Sequence, residues 1–306
     1  MVIVKGEIAN MPANFQTKAH AKWILAGEHA VLRSHPAMVF PIPSKFIELF
    51  YWEDNTSGNL EVDFNVPHGE TFLVLFWGVF EEGLKLLNKK HHDIQGRLFF
   101  QNNIPMGAGM GFSAAFCVSL TKLFQWKQWI KEEDAFEFAR LLENHFHGKS
   151  SGVDIAGSLY DGGIYFTMQG ERRPVVLKWR PHLYLSHSGH VSVTSKCVNL
   201  VSELWEENKS YAEKIDQSMA NSVELAYTAL HENEQSGLPK LQQAMQQAFQ
   251  CFSDWRLINH DMENHFSVLK DHGALAFKPT GAGDGGYVLS LWKTVPDLSF
   301  EMVAVF

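Results

Sequence analysis

The chain has 306 residues, of which 45% are hydrophobic and 20% charged, so it can bury a sizeable core without a disulfide or metal staple. Its formal net charge is -8 and no basic run exceeds a pair, which makes nucleic acid or an anionic membrane an unfavourable partner. Three widely spaced cysteines match neither a zinc spacing nor a disulfide framework, which favours a reducing compartment. Without a signal-peptide pattern or an apolar run of ~18 residues, we expect a cytoplasmic protein.

The first half of the chain mixes strands and helices, separated by glycine and proline clusters. The predicted elements are strands over 37–52 and 97–101, helices over 70–88, 112–125 and 132–147, and a strand after Gly162-Gly163. The second half begins with a strand over 183–186 and continues with long helical patterns over 198–231, 238–255 and 262–270. It ends with a strand, a glycine loop and a strand over 274–291. Both halves are therefore expected to be α+β, with a domain boundary that divides the chain into residues 1–172 and 173–306.

A glycine-rich segment, PMGAGMGFSAA, runs from Pro105 to Ala115 between a predicted strand and a predicted helix. Its glycines allow the backbone to turn tightly, and unpaired amides at the start of a helix favour a phosphate group. Ser113 could offer its hydroxyl to a metal ion. The alternative is an ordinary turn into a helix that Ser113 caps.

Two look-alike motifs are rejected. Gly148-Lys149-Ser150 ends like a nucleotide-binding P-loop, but Glu143 stands where that motif requires its first glycine. The segment 281–286 matches GxGxxG, yet the chain ends 20 residues later and leaves no room for a dinucleotide-binding unit.

Three glycine-marked segments occur in order together with an acid-bearing turn. They are KWILAGEHAVL from Lys22, PMGAGMGFSAA from Pro105 and KPTGAGDGG from Lys278, with HGKSSGVD ending at Asp154. This set resembles the three motifs of the GHMP kinase superfamily, and within it most closely those of the mevalonate kinases. The resemblance implies a fold with an N-terminal domain of the ribosomal protein S5 domain 2-like type and a ferredoxin-like C-terminal domain.

The resemblance also implies roles for individual residues. Asp154 would accept or orient the proton of the acceptor hydroxyl, and Lys22 beside it would offset the charge on the transferring phosphoryl group. Ser113 and Glu143 would bind Mg²⁺. The remaining implied contacts are with ATP, by Pro105, Gly107, Ala108, Gly109, Gly111, Ser113 and Ala114, and with the substrate, by Glu28, His29, Thr280 and Gly281.

The expected reaction is transfer of the ATP γ-phosphoryl group to the primary hydroxyl of mevalonate, with ATP and Mg²⁺ as cofactors. The alternative hypothesis is a phosphomevalonate kinase or another GHMP kinase, and a third hypothesis is a catalytically silent ATP-binding protein. A phosphorylated acceptor would require an extra basic cluster, for which Lys149, Lys196 or Arg33 could serve. The expected partner is a small molecule, and the resemblance is compatible with a homodimer.

The sequence departs from the family pattern at three points within these motifs. Phe112 replaces the first serine of the phosphate loop, and Asp284 stands where the family usually has glycine. A carboxylate at that position would repel phosphate oxygens unless it points away or meets a cation. Lys278-Pro279 resembles phosphomevalonate kinases more than mevalonate kinases.

Overall fold

The computed structural model describes residues 12–56, 58–65, 69–148 and 150–306. Two β-sheets organise this part of the chain. The first has six strands in the order β3-β4-β2-β5-β6, with β1 paired to β2 outside that path. Its strands are β1 Phe15–Ala26, β2 Ala37–Glu53, β3 Leu60–Asn65, β4 Gly96–Asn102, β5 Ile164–Phe166 and β6 Arg172–Pro174.

The long strand β2 is the centre of the first sheet. It pairs antiparallel with β1 along most of its length, with β4 through its second half and with β5 through its first residues. The strand is rich in Val, Ile and aromatic residues, which suit a pleated buried surface. Its predicted span over 37–52 is confirmed, whereas β3, which is parallel to β4, was not predicted.

Four helices accompany the first sheet: α1 Gly69–Leu86, α2 Phe112–Trp126, α3 Ala135–His147 and α4 Val153–Leu159. Both α2 and α4 pack against β1 and β2, and α3 packs against α2. An aromatic cluster fills the space between α1, α2 and the sheet. Phe112 belongs to this cluster, 5.6 Å from the ring of Phe72 and stacked with Phe116 at 6.3 Å between centroids. Packing therefore accounts for the phenylalanine that replaces the family's serine.

The second sheet has four strands in the order β10-β7-β9-β8. They are β7 His182–His187, β8 Ala276–Pro279, β9 Tyr287–Trp292 and β10 Val303–Ala304. Four helices follow β7: α5 Thr194–Glu207, α6 Lys209–His231, α7 Glu234–Asp254 and α8 His260–Asp271. Because α6 and α7 also contact β1, the two sheets share one continuous hydrophobic core.

The single helical pattern predicted over 198–231 is two helices. Asn208 ends α5 and begins α6, and its side chain accepts a hydrogen bond from the backbone N–H of Tyr211. An asparagine at this position satisfies an amide that the new helix leaves unpaired, which periodicity alone does not reveal. The predicted domain boundary falls inside β6, which pairs with β5 and so extends the first sheet to Pro174.

None of the described helices is long and apolar enough to cross a membrane. The three cysteines are free and buried.

Candidate active site

The phosphate-loop segment connects β4 to α2, as the sequence predicted. Its three glycines have positive φ angles of 71°, 81° and 76°, and the last of them, Gly111, is the residue before the first turn of α2. Gly111 rather than Ser113 therefore holds the capping position, and the alternative of a serine-capped helix is not what the structure shows. Ser113 lies within the first turn of α2. The loop thus presents a helix start with the geometry that suits an anion.

Lys22 and Asp154 are brought together from β1 and the first turn of α4. The Nζ atom of Lys22 lies 3.0 Å from Oδ2 of Asp154 and donates to the carbonyl oxygen of Gly109 at 3.2 Å. The lysine side chain is 3% exposed and that of Asp154 28% exposed. An ammonium group, a carboxylate and the phosphate loop thus meet at one point, with the carboxylate open to solvent.

Two glycines leave the space that the Lys22 side chain occupies. A Cβ atom on Gly111 would lie 2.6 Å from Cγ of Lys22, and one on Gly157 would lie 2.7 Å from its Cβ and 2.4 Å from Val39 Cγ2. Contacts this short would force the Lys22 side chain, and at Gly157 also Val39, to shift, so the two glycines leave room for Lys22. Gly157 in α4 was not singled out by the sequence analysis, since a lone glycine in a helix carries no local signal.

Glu143 lies beside this pair, in the last turns of α3. Its side chain is 2% exposed, and the hydroxyl of Ser150 donates to Oε2 at 2.5 Å. Burial, with the nearby Asp154 carboxylate, raises the pKa of Glu143 to about 8, while Ser150, Lys22 and Ser113 act in the opposite direction. The structure therefore brings together Lys22, Asp154, Glu143 and Ser113, all of which were predicted, and adds Ser150.

The residues around Glu143 fit a divalent cation. Its Oε1 atom is buried and accepts no well-formed hydrogen bond from the described part of the chain. A cation at that oxygen would supply the charge that the buried carboxylate lacks, in place of a proton. The described residues contain no cluster of three or more His, Cys, Asp or Glu side chains arranged to bind a metal. One carboxylate and one hydroxyl suit Mg²⁺, which commonly takes its other ligands from water and substrate phosphates.

A second lysine–carboxylate pair lies in the protein interior. Lys278, on β8, places Nζ 2.5 Å from Oε1 of Glu28, and the two side chains are 0% and 2% exposed. Burial raises the pKa of Glu28 and lowers that of Lys278, and each charge partly offsets the other's shift. The partner of Glu28 was not predicted, because the two residues are 250 positions apart.

His29 follows Glu28 and is also buried. Its Nε2 atom lies 2.8 Å from the carbonyl oxygen of Ala282, so the ring donates its Nε2 proton there. Burial beside Trp255 lowers its pKa to about 4, so the imidazole is neutral at physiological pH. The backbone of His29 has a φ of 56° and a ψ of −49°, outside the left-handed region that asparagine, aspartate and histidine adopt most readily.

The C-terminal glycine loop, residues 281–286, lies against the phosphate loop. A Cβ atom on Gly281 would be 3.5 Å from the carbonyl oxygen of Gly109, and one on Gly286 would be 3.2 Å from that of Ala108. The hydroxyl of Thr280 donates to the carbonyl of Ile24 and accepts from its N–H, both at 3.1 Å. Thr280 and Gly281 are thus joined to β1 and the phosphate loop, close to Lys22.

Comparison with known proteins supports the same family. Residues 75–162 match the model of the GHMP kinases N terminal domain. A curated mevalonate kinase of Pyrococcus abyssi is 25% identical, over 92% of this chain and 89% of the relative.

Solved structures share the fold. A mevalonate kinase of L. major, crystallised with R-mevalonate, superposes with a TM-score of 0.75 at 22% identity, over 92% of this chain and 88% of that one. A phosphomevalonate kinase of Streptococcus pneumoniae superposes with a TM-score of 0.69 at 15% identity, over 92% and 93%. The resemblance to the GHMP kinases and the predicted fold class are confirmed.

Proposed function

We propose that this chain, a phosphotransferase with the GHMP kinase fold, transfers the γ-phosphoryl group of ATP to the primary hydroxyl of mevalonate. The observation that carries the proposal is the Lys22–Asp154 pair, with its nitrogen 3.0 Å from the carboxylate oxygen and bonded to the phosphate loop. The curated relative named above, a mevalonate kinase, adds the expected acceptor.

In the proposed reaction, the amides of the phosphate loop and the start of α2 hold the phosphate groups. Asp154, the partly exposed member of the pair, accepts the proton of the acceptor hydroxyl or orients its oxygen toward the phosphorus atom. The Lys22 ammonium favours the deprotonated oxygen and offsets negative charge on the group in transfer. Glu143 and Ser113 would hold Mg²⁺, which supplies charge neutralisation on the phosphates.

Mevalonate is preferred over phosphomevalonate because the candidate cations that the structure describes already pair with carboxylates. Lys278, part of the sequence that resembles phosphomevalonate kinases, is fully buried against Glu28. Arg33 donates to both carboxylate oxygens of Asp216, and Lys196 lies 2.8 Å from Asp284. A substrate phosphate would need a free cation, and these three are committed to carboxylates. Lys149 lies outside the described residues.

The test is an acceptor screen with the purified full chain. ADP release would be measured with mevalonate, phosphomevalonate, homoserine and galactose, each at saturating MgATP. We expect turnover with mevalonate and little with the others. Silence with mevalonate beside activity on another acceptor would overturn the choice of substrate, and a thermal shift with MgATP but no turnover on any acceptor would favour a silent binding protein.

A further inference from the structure

Asp284 introduces a negative charge into the C-terminal glycine loop. Its backbone has a positive φ of 51°, a conformation that aspartate tolerates better than most residues. The loop lies against the phosphate loop at Gly109 and Ala108. Asp284 therefore belongs to the loop that borders the place where the proposed function requires nucleotide phosphates, and a carboxylate in that loop adds a repulsive charge.

Lys196 supplies the opposing charge from the first turn of α5. Its Nζ atom lies 2.8 Å from Oδ2 of Asp284, and the lysine side chain is 62% exposed while that of Asp284 is 16% exposed. A lysine in the first turn interacts unfavourably with the helix dipole, so the helix itself gives no reason for a cation there.

The loop does not need this ion pair to keep its shape. The hydroxyl of Ser192 and the thiol of Cys197 both donate to the carbonyl of Gly283, at 2.5 and 3.4 Å. The backbone N–H of Asp284 donates to Leu257 at 2.7 Å, and the Asn259 side-chain amide donates to the Asp284 carbonyl at 3.0 Å. An ion pair with a lysine this exposed adds little to stability.

We propose that Lys196 is a positioning residue for nucleotide affinity: it neutralises Asp284 and so makes a charged glycine loop compatible with the phosphates of ATP. This inference rests on the proposed function, because it requires a nucleotide at the phosphate loop. It extends that function to a lysine outside the three motifs and to an aspartate at a position where the family pattern has glycine.

Only one of the two single variants should weaken nucleotide binding. Binding of the magnesium complex of AMPPNP, a non-hydrolysable ATP analogue, would be measured by calorimetry on the full chain without acceptor. Lys196→Met leaves Asp284 unopposed and should raise the Kd about three- to tenfold at low salt. Asp284→Asn should leave the Kd unchanged or lower it, and the double variant should match Asp284→Asn. Lys196→Arg should restore wild-type affinity, and the penalty in Lys196→Met should shrink as salt is raised.

The matched control is Lys209→Met, which breaks an exposed ion pair with Glu213 on α6 and should leave the Kd unchanged. Equal losses in Lys196→Met and Asp284→Asn, with no further loss in the double variant, would make the pair a structural clasp and overturn the inference. Unchanged affinity in Lys196→Met would overturn it as well. Wild-type protein that binds no Mg-AMPPNP would overturn the proposed function itself, which separates the two failures.

Discussion

Two lysine–carboxylate pairs lie near each other in this protein, and their burial differs sharply. In the Lys22–Asp154 pair the aspartate is 28% exposed, whereas in the Lys278–Glu28 pair neither side chain is more than 2% exposed. One residue of each pair comes from the same motif, which contains both Lys22 and Glu28. In the proposed function the open pair exchanges a proton with the acceptor hydroxyl, whereas the closed pair joins β8 to the segment that follows β1. The two pairs have the same chemical groups, and they differ in whether the carboxylate is exposed to solvent.

The largest effect is expected from the open pair. Asp154→Asn removes the proton acceptor and should lower kcat by about 10²–10⁴-fold, while Mg-AMPPNP binding is retained. Steady-state kinetics with mevalonate and calorimetry with the analogue would measure the two quantities. Asp161→Asn, at an exposed aspartate beyond the end of α4, is the control and should keep full activity. Full activity in Asp154→Asn would remove the aspartate from the mechanism.

The closed pair should affect stability instead. Lys278→Met leaves the Glu28 carboxylate buried without its partner and should lower the free energy of unfolding by about 3–5 kcal/mol. Adding Glu28→Leu should recover most of that loss, because an apolar pair carries no desolvation cost. Urea unfolding would measure both variants. Lys45→Met, which breaks an exposed ion pair with Glu301, should cost less than about 1 kcal/mol. A double variant as unstable as the single one would show that the buried charge is not the cause.

His29, which is buried next to Glu28 in the sequence, should make the stability of the protein depend on pH. Its pKa of about 4 lies below the ordinary value near 6.5, so the unfolded chain binds a proton more readily than the folded one between these values. The contribution of His29 to the free energy of unfolding is therefore fully present above about pH 6.5 and is lost as the pH falls. The loss from this one group is about 2 kcal/mol between pH 7.5 and pH 5.

His29→Asn should flatten that part of the stability profile, since asparagine does not titrate. Urea unfolding at a series of pH values would measure the difference. His182→Asn, at an exposed histidine that begins β7, should leave the profile unchanged. An unaltered acid limb in His29→Asn would assign the pH dependence to other groups.

The smallest effect is expected from Gly157, which packs against Lys22 of the open pair. Gly157→Ala places a methyl group against Lys22 and Val39, and overpacking of this kind costs about 1–3 kcal/mol. Because Lys22 must shift, kcat should fall together with stability. Gly162→Ala is the control, since a Cβ atom there meets nothing within 4 Å. Loss of stability with unchanged kcat would show that the position of Lys22 tolerates displacement.

The sequence predicted the parts of this site that lie within motifs. The phosphate loop, its helix and the convergence of Lys22, Asp154, Glu143 and Ser113 followed from residue patterns and the family resemblance. The roles of these residues remain predictions. Local patterns also located most helices, because apolar periodicity is a property of each segment alone.

Contacts between distant segments could not be predicted in this way. The partner of Glu28 lies on β8, and that of Asp284 lies on α5, with no local signal joining either pair. From the sequence we expected only that Asp284 points away from the phosphates or meets a cation. In the structure the cation beside it is Lys196. The Ser150 hydroxyl could have been predicted from the sequence, since it lies in the HGKSSGVD segment.

The two hydrogen bonds between Thr280 and Ile24 have a consequence for how the protein is made. They join residues 256 positions apart, and the Lys278–Glu28 pair beside them spans nearly as much. Contacts of such high sequence separation form late, because closing a long loop costs entropy before any contact repays it. A chain still emerging from the ribosome would hold Lys22, the phosphate loop and Asp154 well before β8 is available. The site should therefore become competent only when β8 docks, so that synthesis of the C-terminal segment times the onset of the proposed activity.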